Sequence, residues 1–207
     1  MGAPDSATYN ALLDATERVM RDEGYAAASS RRIAEEAGVK QQLVYYYFHT
    51  MDDLLLAAFT RRTTAALERI DEEAASGTPA QTIWESWNNT VDAKLVFEFV
   101  ALANHHDGVR EEVNRFGRIA RKKHAAAIAR EFKERGIEPG PLTPDALAFL
   151  LYSTALMLGR ESAMGMSDGH DDVRALFDWV MERIGRAPEA LRSAAVPGAD
   201  GQPAGRP

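Results

Sequence analysis

The 207-residue chain contains no cysteine. Disulfides, thiolate metal sites and cysteine nucleophiles are therefore excluded together, and the expected localisation is cytoplasmic. Positive charge is scarce as well: 24 Lys and Arg stand against 31 Asp and Glu, a formal net charge of −7. A chain this acidic is repelled by polyanions in bulk, so a nucleic-acid site has to be a local concentration of basic and hydrogen-bonding groups. No long hydrophobic run is present. The most apolar stretch, ALAFLLYSTALMLG (Ala146 to Gly159), is closed by Arg160 and Glu161 and falls short of the roughly 18 residues a membrane span needs. It reads as a buried helix, and no membrane partner is expected. The N-terminal MGAPDSATYN has neither a basic start nor an apolar core, so no secretory signal is read there. A Gly-rich phosphate loop, a nucleophile elbow and a metal-binding His-Glu spacing are all missing. His105 and His106 are adjacent, about 100° apart on a helix, and cannot chelate one ion as an i, i+4 pair would. The chain is accordingly expected not to be an enzyme and to carry neither metal nor cofactor.

What is there is helix, with 45 % hydrophobic residues to build a core. Tyr9, Leu12, Leu13, Thr16, Val19 and Met20 recur at helical spacing between Ser6 and Glu23, with Gly24 as a stop. Ser29 or Ser30 can cap a short helix through Ala37, and a second short helix runs from about Gln41 to Phe48. Thr50 and Asp53 form a capping-box pattern opening a long helix toward Ser76. Thr78 and Pro79 start the next, predicted from Gln81 to about Asn104. A basic helix follows from Asp107 to Arg135, with a candidate break near Phe116 and Gly117. Two more helices are predicted from Thr143 to about Met166 and from Asp171 to Ile184. From Arg186 onward Pro, Gly and Ala dominate without apolar periodicity, so residues 186–207 are expected to be a disordered tail. No segment reads as a strand. The expected fold is all-α, with a helix-turn-helix domain over residues 1–50 and a helical effector-binding and dimerisation domain over 51–185.

The chemistry concentrates in KQQLVYYYFHT, Lys40 to Thr50. Ile33, Ala34, Ala37, Gly38, Val39 and Val44 have the spacing of a helix-turn-helix: the small Ala34 allows close approach, Gly38 takes the turn, and Val39 and Val44 plug the interface. Each residue of a helix turns about 100° from the last. Phe48, one turn after Val44, therefore falls on the same side as Val44, with Tyr47 at that side's edge. Tyr45 turns away from it, and Gln42 and Tyr46 lie nearly opposite. Val44 and Phe48 must face inward, while Tyr45 and Tyr46 look outward with hydroxyls able to reach phosphate oxygens. Gln41 and Gln42 can pair with adenine, and Leu43 can touch a thymine methyl. Lys40 and Arg31 add positive charge beside the groove. The pattern alone also fits a helical hairpin whose tyrosines pack against the first helix or a partner.

Leu12 to Phe59 resembles the N-terminal DNA-binding domain of TetR-family transcriptional regulators. Gly24-Tyr25, IAEEAGV, YYYF and the DDLL of the long helix fall in the family's order. The resemblance implies a homodimer on pseudo-palindromic operator DNA, a ligand-binding C-terminal domain, and release when a small-molecule effector binds. It also implies DNA contacts from Ser30, Arg31, Lys40, Gln41, Gln42, Leu43, Tyr45, Tyr46 and Tyr47. Four positions depart from the pattern. Lys40 replaces a small hydroxyl residue, Leu43 a common threonine, Tyr47 a common histidine, and Met51 a lysine directed at phosphate. A ligand-responsive repressor is the expected function; an activator or ligand-insensitive regulator, and an interaction module without DNA binding, are the alternatives.

Beyond about Arg62 the resemblance is to architecture only. Trp84, Trp87, Asn88 and Val91 form a stripe suited either to a ligand pocket or to core packing. Glu98, inside LVFEFVALA, needs a partner if buried; Lys94 one turn earlier can supply it, or a cationic ligand can. The basic run RIARKKH, Arg118 to His124, is either a solvated face or an attractor of an anionic effector or DNA. Leu147, Leu151, Leu158, Val173, Leu176, Phe177, Val180 and Ile184 form stripes that can pair across a two-fold axis as a four-helix dimer interface.

Overall fold

The computed structural model describes residues 6–90 and 92–186, with the backbone alone at residue 90. Within them the chain forms nine α-helices, one 3-10 turn and no strand. Helix α1 (Ala7–Glu23) begins where the Ser6 hydroxyl accepts the Tyr9 N–H, and it buries Leu12, Leu13, Thr16, Val19 and Met20. Gly24 ends it at φ +87° and ψ 160°, a region in which a side chain is strained. The 3-10 turn Tyr25–Ala27 leads to α2 (Ser30–Glu36), capped by Ser29, and then to α3 (Gln42–Tyr47). Gly38, at φ +67°, makes the tight connection. Helix α4 (Met51–Ala74) opens with the Thr50/Asp53 capping box.

Helices α5 (Pro79–Thr90) and α6 (Ala93–Ala103) correct the expectation of one helix from Gln81 to Asn104. Asp92 starts a new helix by accepting the Leu95 N–H at 3.1 Å, and its carboxylate also meets Arg21 at 2.5 Å. Conversely, α7 (Asp107–Glu134) runs unbroken through Phe116 and Gly117. Helices α8 (Pro144–Ala163) and α9 (His170–Gly185) complete the fold. Val91 and residues 187–207 of the expected tail lie outside the described residues.

Two hydrophobic cores form. One gathers Leu12, Met20, Ile33, Val44, Phe48, Leu54 and Phe59 and is closed by Leu95, Phe99 and Leu102 of α6. The core of the N-terminal helix-turn-helix is thus completed by residues far beyond position 50. The other joins Ile83 and Trp84 to Ile128, Leu147, Leu151, Phe177 and Ile184. Each fully buried aliphatic or aromatic side chain contributes about 1.5–3 kcal/mol, so neither core is dispensable.

Carboxylates bind the helices together. Glu36 is held below its usual value of 4.5 by hydrogen bonds from Arg18 and then Arg32. Glu112 is held low by its hydrogen bonds from Arg115 and, against the cost of burial, from Thr63. A carboxyl depressed in the folded state stabilises above its unfolded pKa and loses that contribution as pH falls through the folded one. Thermal scans should therefore show Tm falling as pH is lowered below about 4.5; a Tm unchanged down to pH 3 would contradict this.

Candidate nucleic-acid interface

The reading face is built from α2 and α3. Ile33, Ala34 and Val44 are fully or almost fully buried between these helices and α1, and Phe48 stacks on Tyr9 at 4.8 Å. Burying those four leaves the opposite side of α3 in solvent, with Tyr45 51 % and Tyr46 54 % exposed.

The polar groups differ in how free they are. The Ser30 hydroxyl, buried at the start of α2, accepts the Gln41 amide at 2.8 Å and the Tyr45 hydroxyl at 3.1 Å. Gln41 and Tyr45 are therefore tied to α2, and reaching a base or phosphate means exchanging those bonds. Tyr47 sits at the edge, its hydroxyl accepting from Ser6 Oγ at 3.0 Å and its ring edge-on to Tyr9. Gln42 and Tyr46 have no hydrogen-bond partner among the described residues, so they are available to a ligand outright. Leu43 is half-buried, and Arg31 and Lys40 are exposed.

Arg18 and Arg32 are occupied by Glu36 and Glu23, and Arg21 by Asp92. Arg31 and Lys40 are the cations of the reading domain without an ion pair among the described residues. At the start of α4, Met51 packs on the core, Asp53 caps the helix, and Asp52 meets His106 Nδ1 at 2.9 Å. That helix start offers phosphate no positive side chain.

Between the two cores lies a cavity of about 1270 Å³ bounded by α4, α5, α6, α7 and α8. Phe59, Val96, Val100, Phe116, Trp87 and Tyr152 supply its apolar wall. His124, 2 % exposed, lies in the wall with Nε2 3.2 Å from Glu73, which also accepts from Ser86. Tyr152 sets its ring edge to Trp87 at 4.8 Å, and burial raises its hydroxyl pKa above 10.

Of the predicted ligand residues that are described, Trp87 lines this cavity and Trp84, Asn88 and Glu98 do not; Val91 lies outside the described residues. Trp84 is 4 % exposed and stacks on Phe177 at 4.3 Å, as core packing. Asn88 turns its amide back to the Trp84 carbonyl at 2.9 Å. Glu98 forms no ion pair with Lys94 among the described residues; it accepts the Tyr25 N–H at 2.8 Å across the boundary with the N-terminal domain. Phe59, Val96, Val100 and Tyr152 escape sequence reading because each continues an ordinary helical core pattern.

Most of the predicted dimer stripe lies inside the protomer. Leu147, Leu151, Leu158, Phe177 and Ile184 are buried inside the protomer, and Val173 and Val180 pack against its second core. Leu176 alone of that set is exposed, at 55 %. The outward apolar residues of these helices are instead Phe149, Leu150, Met157, Leu176 and Trp179.

Gly117 adds a clue. It lines the cavity from the interior of the 28-residue α7, and a Cβ there would meet nothing within 4 Å. Glycine in a helix interior costs about 0.5–1 kcal/mol relative to alanine. Gly117→Ala should raise stability by about that amount in urea titration; a loss would show that the space is not open.

Residues 12–58 match the family described as bacterial regulatory proteins, tetR family. No curated protein is similar enough in sequence to match the chain. Solved structures do resemble it. A transcriptional regulator from Rhodococcus sp. Rha1 is 22 % identical, with a TM-score of 0.63 over 93 % of this chain and 100 % of that one. A TetR transcription regulator from Haloarcula marismortui is 18 % identical, with a TM-score of 0.64 over 88 % and 97 %. The regulator FadR from Bacillus subtilis, solved in complex with stearoyl-CoA, is 19 % identical, with a TM-score of 0.55 over 85 % and 97 %. Residues 12–58 thus form the helix-turn-helix domain of the tetR family of bacterial regulatory proteins, and the all-helical architecture behind it is the one these solved structures share.

Proposed function

We propose that this regulator is a ligand-responsive repressor that binds a pseudo-palindromic operator as a homodimer and is released when a small molecule enters the cavity. The observation that carries this reading is the double duty of α6. Val96 and Val100 line the cavity, while Leu95, Phe99 and Leu102 complete the reading-domain core. The same helix holds that domain at two polar points, Asp92 to Arg21 at 2.5 Å and Glu98 to the Tyr25 N–H at 2.8 Å. A ligand that displaces α6 therefore displaces α1 and, through the shared core, α3. It releases DNA only if it binds the DNA-incompetent arrangement more tightly, because equal affinity shifts nothing. The stearoyl-CoA held by the Bacillus subtilis fold relative supports a ligand-controlled reading.

The homodimer is supported by the apolar residues left outside. Leu150 and Met157, seven apart, fall within about 20° of each other on α8, and Leu176 and Trp179 share one side of α9. Large exposed residues arranged this way suit an isologous contact with a second copy. Each reader would then enter a major groove with Gln42 and Tyr46 forward, the two readers about one helical turn apart. A regulator of this kind works in the cytoplasm, and no helix among the described residues is long and apolar enough to cross a membrane.

Two unpaired cations per reader, Arg31 and Lys40, give four per dimer. The plot of log Kobs against log salt should then have a slope of roughly −4, from about −0.9 per neutralised phosphate. A slope near −10 would mean that the cation inventory is wrong. The decisive experiment is selection of randomised duplex DNA on the purified protein at near-physiological salt. Enrichment of an inverted repeat is expected. Folded protein that enriches nothing would sink operator binding.

A further inference from the structure

The basic run Arg118 to His124, which DNA reading does not use, ends up on the cavity. Six cations line it, Arg61, Arg62, Arg69, Arg118, Arg121 and Lys122, against two carboxylates, Glu17 and Asp145. Glu17 is already engaged at 2.7 Å by Arg61, leaving Arg62 a distant 3.8 Å contact. Arg121 lies over the Phe149 ring, 4.9 Å from its centroid. Arg69, Arg118 and Lys122 have no ion pair among the described residues. Like charges gathered around one concavity in an acidic protein repel each other unless an anion comes between them.

The inner wall agrees. The Trp87 indole N–H is shielded from solvent and has no acceptor among the described residues, and a buried donor left unpaired is costly. The largely buried Tyr152 hydroxyl also has no hydrogen bond among the described residues. Neither group is a carboxylate, so neither offers a cationic head a counter-charge. A cationic ligand would find its carboxylate partners taken or outnumbered.

We infer that the effector is an amphiphile with an anionic head, its apolar body against Phe59, Val100, Phe116 and Trp87 and its head among Arg62, Arg118, Arg121 and Lys122. This rests on the reading of the cavity as the effector site. Burial pushes the Arg62 guanidinium pKa down against the opposing pull of Glu17 and Asp92, and an anionic head would favour its charged form further.

Two probes with one ring framework test this by fluorescence titration: 1-anilinonaphthalene-8-sulfonate, which is anionic, and N-phenyl-1-naphthylamine, which is neutral. Both should bind the full chain, the sulfonate at one site per chain. Arg118→Gln together with Lys122→Gln changes two residues that line the cavity and hold no ion pair among the described residues. It should weaken the sulfonate probe at least about fivefold and leave the neutral probe within about twofold. Gly117→Phe, which fills open space, should abolish both. If the charge variant moves neither probe, or both equally, while Gly117→Phe abolishes both, the cavity binds ligands but the anionic head is wrong. If Gly117→Phe leaves binding intact, or neither probe binds the unmodified protein, the effector-cavity reading itself falls, and this inference with it.

Discussion

Phe99→Ala is expected to destabilise the protein by about 3–5 kcal/mol and to loosen the reading domain, although Phe99 lies far beyond α3 in the chain. The side chain is fully buried, its ring centroid 4.7 Å from that of Phe59, among residues of α1, α2, α3 and α4. Truncation leaves a cavity that packed neighbours fill only in part. For a chain of this size, about 2–4 °C is lost per kcal/mol, so Tm should drop by roughly 6 to 20 °C. The discriminating readout is amide exchange. Protection of α1 and α3 should fall along with that of α6, because all three share one core. Were residues 7–48 to keep their protection while α6 lost its own, the reading domain would be an independent unit, and the route from cavity to DNA through α6 would be closed.

The second large effect concerns recognition. Gln42→Ala combined with Tyr46→Phe should weaken operator binding by about 1–3 kcal/mol, from fivefold to more than a hundredfold. Both side chains lie on the exposed face of α3 and hold no hydrogen bond among the described residues, so circular dichroism and Tm should stay as they were. In the proposed reading Gln42 meets a base edge and Tyr46 a phosphate, so their loss would leave those DNA groups dehydrated without a partner. An unchanged operator affinity in the folded double variant would overturn the assignment of this face. The tied groups make a contrast. Tyr45→Phe removes a hydroxyl already bonded to Ser30, so part of any lost affinity would arise from a less ordered α2–α3 junction.

Most arginines of the helix-turn-helix domain hold helices together, so the proposed DNA contact would rest on groups that read shape and bases more than charge.

Much of this protein is written locally. The 3.6-residue period, the Ser6, Thr50 and Thr143 caps and the glycine after α2 are interactions within four or five positions of one another, so the all-α fold, the helix-turn-helix and the outward Tyr45 and Tyr46 follow from the chain read by itself. The break at Asp92 escapes such a reading because one capping carboxylate interrupts an apolar pattern that otherwise continues across it. Periodicity states which residues leave water but not what they meet. Trp84 and Trp87 occupy one stripe, yet only the placement of α9 decides that Trp84 stacks on Phe177 while Trp87 faces the cavity. Leu147 and Leu150 are three positions apart on one apolar helix, and only the docking of α8 on α5 and α7 buries the first and leaves the second exposed. Charge pairing is equally non-local: Lys94 is near Glu98 in sequence, but the Tyr25 N–H is nearer in space. Local hydrogen bonding and hydrophobic period determined the helices and the reader. Packing between elements distant in the chain decided the cavity, its ring of cations and the tie from α6 to the DNA-reading domain, because those depend on which faces meet.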